Sequence, residues 1–203
     1  MIKTILWDFD GVILDSMKIK ANGFLELFKE YDENYLKELE KYHYENGGIS
    51  RFDKIRYFHN EIIKTNITED EVIKLADKFA KIIESKLFNQ ENLIEETVVF
   101  IKENFKKYNF HIVSGAEHQE LNKLCRNFKL TQYFKSIDGS PTKKEILVKN
   151  ILEEYHYKKE ETILIGDAMT DYQASVRNGI EFYGYNNIKL QKFNYINSMQ
   201  LFM

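Results

Sequence analysis

Residues 3–12 read KTILWDFDGV, a short apolar run that ends in two acidic residues, Asp8 and Asp10, and then a glycine. An apolar run bounded by a turn signal predicts a buried β-strand. A strand of a parallel sheet is covered on both faces and cannot hold two carboxylates in its middle, so we expect both at its carboxyl end. That end is where open α/β sheets bind their ligands.

Asp8 and Asp10 are two residues apart, and side chains at this spacing point to the same side of a strand. Two like charges that close repel each other unless a cation neutralises them, and Mg²⁺ prefers such oxygen ligands. A lone Asp-x-Asp is more often a solvated turn. The prediction of a metal site therefore depends on what the rest of the chain supplies.

The composition describes a globular chain of 203 residues, 43% of them hydrophobic, with a formal net charge of −3. The absence of a basic excess argues against a nucleic-acid partner, and no apolar run reaches the length of a membrane span. A single cysteine, Cys125, excludes an intramolecular disulfide and fits a reducing compartment. We therefore expect a cytoplasmic protein that acts on a small molecule, and the sequence indicates no oligomeric state.

The pattern of apolar residues divides the chain into two regions. Helical spacing continues without a strand from about residue 15 to residue 89, and strands alternate with helices after residue 97. Alternation of this kind predicts a doubly wound parallel sheet with helices on both faces, in the α/β class. We predict a core domain formed by 1–14 and 90–203, with an all-helical domain, 15–89, inserted after the first strand.

Polar residues follow two further predicted strands, and the ends of parallel strands meet at one edge of the sheet. Ser114 and Gly115 follow the strand predicted at 109–113, at a turn into a helix whose N-terminus would bind an anion. Asp167 and Asp171 follow another. Each has an ordinary alternative as a helix cap, but together with a lysine they describe a site for Mg²⁺-assisted phosphoryl transfer.

The lysine is either Lys143 or Lys144, both early in a predicted helix, where a cation is slightly disfavoured by the helix dipole. Lys144 shares a helical face with Val148 and Ile151, which is the face toward the core. We expect Lys144 to point into the crevice and Lys143 to face solvent.

These motifs, in this order, resemble those of the haloacid dehalogenase-like superfamily of phosphatases, and the resemblance extends over essentially the whole chain. It rests on DFDGV at 8–12, Ser114, Lys144 and GDAMTD at 166–171. The helical insert resembles the helical cap of that family, and residues 139–144 resemble the phosphoglycolate phosphatase and β-phosphoglucomutase-like branch. The resemblance implies a Rossmann-like core and a Mg²⁺ cofactor.

The resemblance also implies roles for the acidic residues. Asp8 would be the nucleophile that forms an aspartyl-phosphate, and Asp10 would be the general acid and then the base that activates water. Asp8, the backbone carbonyl of Asp10 and Asp167 would hold Mg²⁺. Asp171 would support these ligands from behind or reach the metal through water.

For the phosphate, the resemblance implies that Ser114, the backbone N–H of Gly115 and Lys144 hold its oxygens. The acid at Asp10 argues against a dehalogenase and against a phosphonate-cleaving enzyme, since those relatives lack it. The most consistent function is a phosphatase of a small phosphorylated metabolite such as a sugar phosphate or phosphoglycolate. A phosphomutase of the β-phosphoglucomutase type and a non-catalytic binding module remain as alternatives.

The inserted helical domain is expected to carry substrate specificity. Residues 47–51, GGISR, form a flexible turn into a helix, and Arg51 and Lys54 lie on one side of that helix. We predict that Arg51 or Lys54 faces the crevice and touches the leaving group, against the alternative that both face solvent. His43 and His59 are interpreted as core or surface residues of this domain.

Overall fold

The computed structural model describes residues 1–202, and its centre is a six-stranded parallel sheet in the order β3-β2-β1-β4-β5-β6. The strands are β1 (Thr4–Trp7), β2 (Asn109–Glu117), β3 (Ser136–Ser140), β4 (Thr162–Gly166), β5 (Glu181–Tyr185) and β6 (Tyr195–Ile196). The predicted fold class is confirmed. The two-residue β6 was not predicted, since so short a strand has no periodicity to detect.

Eight α-helices accompany the described sheet. They are α1 (Met17–Leu27), α2 (Glu33–Glu45), α3 (Arg51–Tyr57), α4 (Glu69–Leu87), α5 (Glu95–Asn104), α6 (His118–Asn127), α7 (Lys144–Glu154) and α8 (Met169–Asn178). A π-helical turn, Phe58–Ile62, continues α3. Within residues 1–202, no helix combines the length and the apolar character that a membrane span requires.

The side chains of β1 show why helices cover both faces of the sheet. All four residues of β1 are buried. Ile5 and Trp7 belong to an apolar cluster with residues of α5 and α6, whereas Leu6 belongs to a second cluster with residues of α7 and α8. Successive side chains of a strand point to opposite faces, so a central strand of this sheet must be apolar throughout.

Helices α1 to α4 occupy the interval between β1 and α5, as the helical spacing predicts. The chain leaves and re-enters the core through adjacent segments. The N–H of Asp15 donates to the carbonyl of Asn92 at 2.7 Å, and the N–H of Ile94 donates to the carbonyl of Ile13 at 2.9 Å. We propose that this pairing marks the boundary of an inserted helical domain close to residues 15–89.

The register of the sheet places the polar residues together. Trp7, the last residue of β1, lies opposite Ile112 of β2 and Ile165 of β4. The residues that follow these three therefore emerge at the same edge, because the strands are parallel. This edge carries the candidate site.

Strand β2 also contains a buried histidine. His111 is fully buried. Its Nδ1 lies 2.9 Å from Ser136 Oγ and its Nε2 lies 3.1 Å from Tyr157 Oη. Ser136 Oγ donates to Asp138, so it accepts from Nδ1–H, and Nε2 accepts from the tyrosine. This arrangement holds the imidazole in its neutral form, and burial lowers the pKa of His111 to about 4.

We predict that His111 makes the fold less stable in mild acid. Because this pKa lies below the ordinary histidine value of about 6.5, the stability that neutral His111 contributes is fully present above pH 6.5 and is lost as the pH falls toward 4. Between pH 8 and pH 5 the loss amounts to about 2 kcal/mol. Urea unfolding at both pH values should show this loss for the wild type, and His111→Phe should show a pH dependence that is smaller by this amount. An identical pH dependence in both proteins would contradict the prediction.

Candidate active site

The site is built at the carboxyl ends of β1 and β4, where three carboxylates meet. Asp8 follows β1 directly and its N–H donates to the carbonyl of Ile165 at 2.9 Å. Asp167 follows β4, and Asp171 lies in the first turn of α8. One carboxylate oxygen from each of the three lies within 4.8 Å of the other two. Strand ends from distant parts of the chain thus produce one acidic cluster.

A single lysine partly neutralises these acids. Lys144 Nζ lies 2.9 Å from Asp8 Oδ1 and also donates to Asp171 Oδ1. Lys144 is buried in the first turn of α7, whereas its neighbour Lys143 is exposed. Burial by itself would lower the pKa of Lys144. The charges of Asp171 and Asp8 outweigh this effect and raise the pKa. The structure therefore places Lys144, and not Lys143, beside Asp8.

The remaining negative charge makes the cluster a fit for a divalent cation. Burial, and next the Asp171 charge, raises the pKa of Asp8 to about 7, and burial together with Asp8 raises the pKa of Asp167 well above its usual range. Asp8 Oδ2 is buried and has no hydrogen-bond partner among the described residues. Both oxygens of Asp171 are taken, one by Lys144 and one by the N–H of Ala168. Asp8 and Asp167 are thus the carboxylates left for a metal ion.

Gly11 gives Asp167 room beside Asp8. It adopts φ +78°, and a Cβ at this position would lie 2.1 Å from Asp167 Oδ2. A side chain here is excluded both by the backbone conformation and by the carboxylate. The glycine of the DFDGV stretch is therefore required for the acidic cluster to form.

The carboxylate of Asp10 lies apart from the acidic cluster. Its Oδ1 accepts from Ser16 Oγ and its Oδ2 accepts from Lys20 Nζ. Burial alone would raise the pKa of Asp10, but Lys20 and Ser16 outweigh it and hold this pKa below its usual range. Both carboxylate oxygens of Asp10 are thus engaged in hydrogen bonds, and that Asp10 reaches the metal through its backbone carbonyl stays a prediction. An ionised Asp10 carboxylate can accept a proton as a general base, whereas it would have to be protonated first to act as a general acid.

Ser114 and Gly115 lie within β2, and not at the helix N-terminus that we expected. Strand β2 continues to Glu117 with a register shift after Val113, so α6 begins only at His118. The N-cap Glu117 already accepts from the N–H groups of Gln119 and Glu120. That prediction was wrong because a strand irregularity, invisible in the apolar pattern, moves the start of the helix.

Ser114 is fully buried, and its Oγ accepts from the N–H of Ala116 at 3.1 Å. A Cβ at Gly115 would lie 2.1 Å from the carbonyl oxygen of Gly48, in the loop between α2 and α3. The absence of a side chain at Gly115 therefore lets residue 48 approach the sheet edge closely. Gly115 therefore lies where the loop between α2 and α3 meets the sheet.

Arg51 and Lys54 both face inward, and neither is solvent-exposed. Arg51 donates to Glu120 of α6, and its guanidinium lies 5.1 Å above the ring of Phe79. Lys54 Nζ lies 3.0 Å from His43 Nδ1. Both line one small cavity of about 30 Å³ together with Asp10. The structure thus brings both residues to the Asp10 side of the site, and it places His43 in the interior.

Several residues of the site were missed in the sequence. Ser16, the N-cap of α1, and Lys20 of its first turn bind Asp10, and their spacing of four residues was a usable signal. Asn187 Nδ2 donates to the carbonyl of Asp167 at 2.7 Å, and Asn186 Nδ2 donates to that of Gly11 at 3.0 Å. The two asparagines follow β5 without a recognisable motif, so only the fold reveals them.

A family model of haloacid dehalogenase-like hydrolases matches residues 5–185. The chain belongs to this family. The match includes β1 through β5 and therefore every strand that contributes to the acidic cluster. No curated protein matches the chain in sequence.

Solved structures of haloacid dehalogenase-like proteins share the fold of this family member. One, described as a predicted phosphatase from Clostridium acetobutylicum, has a TM-score of 0.78 at 17% identity and covers 98% of this chain and 95% of its own. β-Phosphoglucomutase from Clostridium difficile has a TM-score of 0.76 at 18% identity, covering 100% and 94%. The HAD-hydrolase YfnB from Bacillus subtilis, described as bound to magnesium, has a TM-score of 0.71 at 20% identity, covering 98% and 96%. At these identities the likeness shows the fold alone.

Proposed function

We propose that this haloacid dehalogenase-like hydrolase is a Mg²⁺-dependent phosphatase that cleaves small phosphomonoesters, such as a sugar phosphate or phosphoglycolate, through an aspartyl-phosphate on Asp8. The observation that carries the proposal is Asp8 Oδ2, a buried carboxylate oxygen without a hydrogen-bond partner among the described residues. Buried polar atoms in native proteins are paired, so an unpaired one at the centre of an acidic cluster indicates a ligand. A metal ion and an incoming phosphate are the ligands that this donor set fits.

In the proposed site, Asp8, Asp167 and the carbonyl of Asp10 would hold Mg²⁺. The bound cation would neutralise the repulsion between an anionic nucleophile and an anionic phosphate. Asp171 would orient Lys144 and would not bind the metal directly, since Lys144 and the N–H of Ala168 already occupy both Asp171 oxygens. Its contact with the N–H of Ala168 also secures the start of α8, which follows Asp167 directly.

The chain's own donors would hold the phosphate. Lys144 lies beside Asp8 Oδ1, and Ser114 and Gly115 lie in the carboxyl-terminal half of the neighbouring strand β2. In this proposal the Lys144 ammonium, Ser114 Oγ and the N–H of Gly115 hold the phosphoryl oxygens. Fixed donors in a buried site stabilise the charge that develops on those oxygens during transfer.

The reaction would take two steps. In the first, an oxygen of Asp8 forms a bond to phosphorus, the ester bond breaks, and the leaving oxygen takes a proton from Asp10, the general acid that the resemblance implies. In the second, water attacks the aspartyl-phosphate, Asp10 takes a proton from that water, and Asp8 is released with inorganic phosphate. The low pKa of Asp10 fits the second step. Lys20, bonded to the same carboxylate, offers a second proton donor for the first step.

The metal dependence tests this proposal directly. Hydrolysis of p-nitrophenyl phosphate should be undetectable after treatment with a chelator and should return when Mg²⁺ is added, because Asp8 and a phosphate dianion repel each other without the cation. Asp167→Asn should raise the Mg²⁺ concentration that gives half-maximal rate. Asp77→Asn, an exposed position on α4, serves as the charge-matched control.

Turnover that survives complete chelation would contradict the metal-dependent mechanism. Turnover of a sugar phosphate that requires an added bisphosphate and releases no inorganic phosphate would indicate a phosphomutase. No turnover with any phosphomonoester at any Mg²⁺ concentration would contradict the phosphatase function.

A further inference from the structure

Three cations line the cavity between the helical domain and the core, namely Lys20, Arg51 and Lys54. Lys20 is paired with Asp10, and Arg51 is paired with Glu120. Within residues 1–202, Lys54 has no carboxylate at ion-pair distance, although it is only 3% exposed. With Glu120 counted as the partner of Arg51, although it does not line the cavity, three cations face two carboxylates, and the cation without a carboxylate is Lys54.

Lys54 is held in place by a neutral histidine. His43 Nε2 lies 3.0 Å from the carbonyl oxygen of Met17, which only accepts, so this nitrogen carries the ring proton. Nδ1 is then unprotonated and accepts a hydrogen bond from Lys54 Nζ. His43 is 1% exposed, and burial together with the Lys54 charge lowers the pKa of His43 to about 3. A neutral imidazole orients the ammonium without neutralising its charge.

An ammonium group has three N–H donors, and His43 takes one of them. Among the described residues, no other acceptor lies within hydrogen-bond distance of Lys54 Nζ. Burying a charge without a counter-charge is costly. Burial and the nearby Lys20 lower the pKa of Lys54 to about 7, which is the response expected of a cation that lacks its partner.

We propose that Lys54, oriented by His43, forms a subsite for an anionic group, a carboxylate or a second phosphoryl group, on the leaving-group part of the substrate. This inference rests on the proposed phosphatase function and names the substrate class. Asp10 lines the same cavity, so a group held there belongs to the fragment that departs and not to the phosphate on Asp8. The anion would accept hydrogen bonds from the two remaining N–H groups of Lys54 and would supply the missing negative charge.

The walls of the cavity strengthen such a contact. Phe24 and Phe79 line it beside the charged residues, and both are almost completely buried. Charges interact more strongly where apolar side chains exclude water. Arg51 is a poorer candidate than the sequence suggested, because Glu120 already neutralises it across the boundary between the helical domain and the core.

Binding to a protein that does not turn over tests the subsite independently of activity. In Asp8→Asn protein with Mg²⁺, calorimetric titration would compare ethyl phosphate, phosphoglycolate and ethanediol bisphosphate. We expect phosphoglycolate or the bisphosphate to bind at least about ten-fold more tightly than ethyl phosphate, since a charge-assisted hydrogen bond contributes this much. Preference for phosphoglycolate would identify a carboxylate as the group bound, and preference for the bisphosphate would identify a phosphoryl group.

The variants separate this subsite from general effects. Lys54→Met in the same background should reduce the preference to about two-fold or less, while Lys78→Met, at an exposed position on α4, should keep it. His43→Phe should weaken the preference, and His43→Asn, which keeps a polar group near Nδ1, should restore part of it. Thermal unfolding checks that each variant is folded, and Lys54→Gln replaces Lys54→Met if the latter is not.

Equal binding of all three esters, or a preference that survives both Lys54 substitutions, would overturn the anionic subsite while leaving the phosphatase function intact. No binding of any ester would overturn both.

Discussion

Replacing Asp8 by asparagine should lower phosphatase turnover by about 10⁴-fold or more, because the reaction would lose its nucleophile. Asparagine matches the size of Asp8 and keeps an oxygen that accepts from Lys144. The change therefore removes the charge and the nucleophilic oxygen without opening a cavity. The assay is hydrolysis of p-nitrophenyl phosphate in saturating Mg²⁺.

The same substitution should stabilise the metal-free protein. One carboxylate oxygen from each of Asp8, Asp167 and Asp171 lies within 4.8 Å of the other two, and among residues 1–202 only Lys144 forms an ion pair with this cluster. Removing one of three buried like charges relieves repulsion, so the thermal midpoint without Mg²⁺ should rise as activity disappears. A variant that loses activity and stability together would indicate that Asp8 is a structural residue. Asp15→Asn, at an exposed position near the site, should leave both quantities close to the wild-type values.

Lys144→Met should reduce both activity and stability. We expect a loss of about 10²–10³-fold in kcat, as for removal of one donor to the developing charge. Without Mg²⁺ the free energy of unfolding should fall by about 3–5 kcal/mol, because Asp8 and Asp171 would remain buried without their cation. Urea unfolding and steady-state kinetics measure the two effects.

Lys143→Met is the matched control, since Lys143 is the exposed neighbour of Lys144 in the same turn. Equal effects of the two substitutions would contradict the placement of Lys144. Adding Mg²⁺ should also recover part of the stability lost in Lys144→Met, because a bound cation replaces some of the missing positive charge. A double-mutant cycle with Asp171→Asn should show strong coupling, since these two side chains are in contact.

The features that were predictable from the sequence are local and periodic. The apolar run at 4–7 followed by Asp8 predicted both a buried strand and an acid at its end. Strand and helix alternation predicted the parallel sheet, and parallel strands necessarily bring Asp8 and Asp167 to one edge. The spacing of four residues between Lys144 and Val148 placed Lys144 on the buried face of its helix and left Lys143 on the exposed face.

The partners of those side chains were not predictable in this way. Asp10 and Lys20 are only ten residues apart, yet their contact depends on how the first helix leaves the core. Arg51 and Glu120 are 69 residues apart, and the contact of Asp167 with Asn187 joins two segments on either side of α8 and β5. The irregular end of β2 likewise had no periodic signal, so the start of α6 was misplaced.

The sequence by itself determined the fold class and the acids at its strand ends, because hydrophobic burial imposes periods of 2 and 3.6 residues that remain visible in a linear string. Only the tertiary structure decided which cation neutralises which acid. The pairing of cations with acids depends on distances between segments that are far apart in the sequence, which no periodic pattern records. It also depends on the balance of charges inside a buried cavity. Lys54 illustrates the difference: its sequence position made it a candidate, but its charge without a carboxylate partner in residues 1–202 is a property of the folded chain.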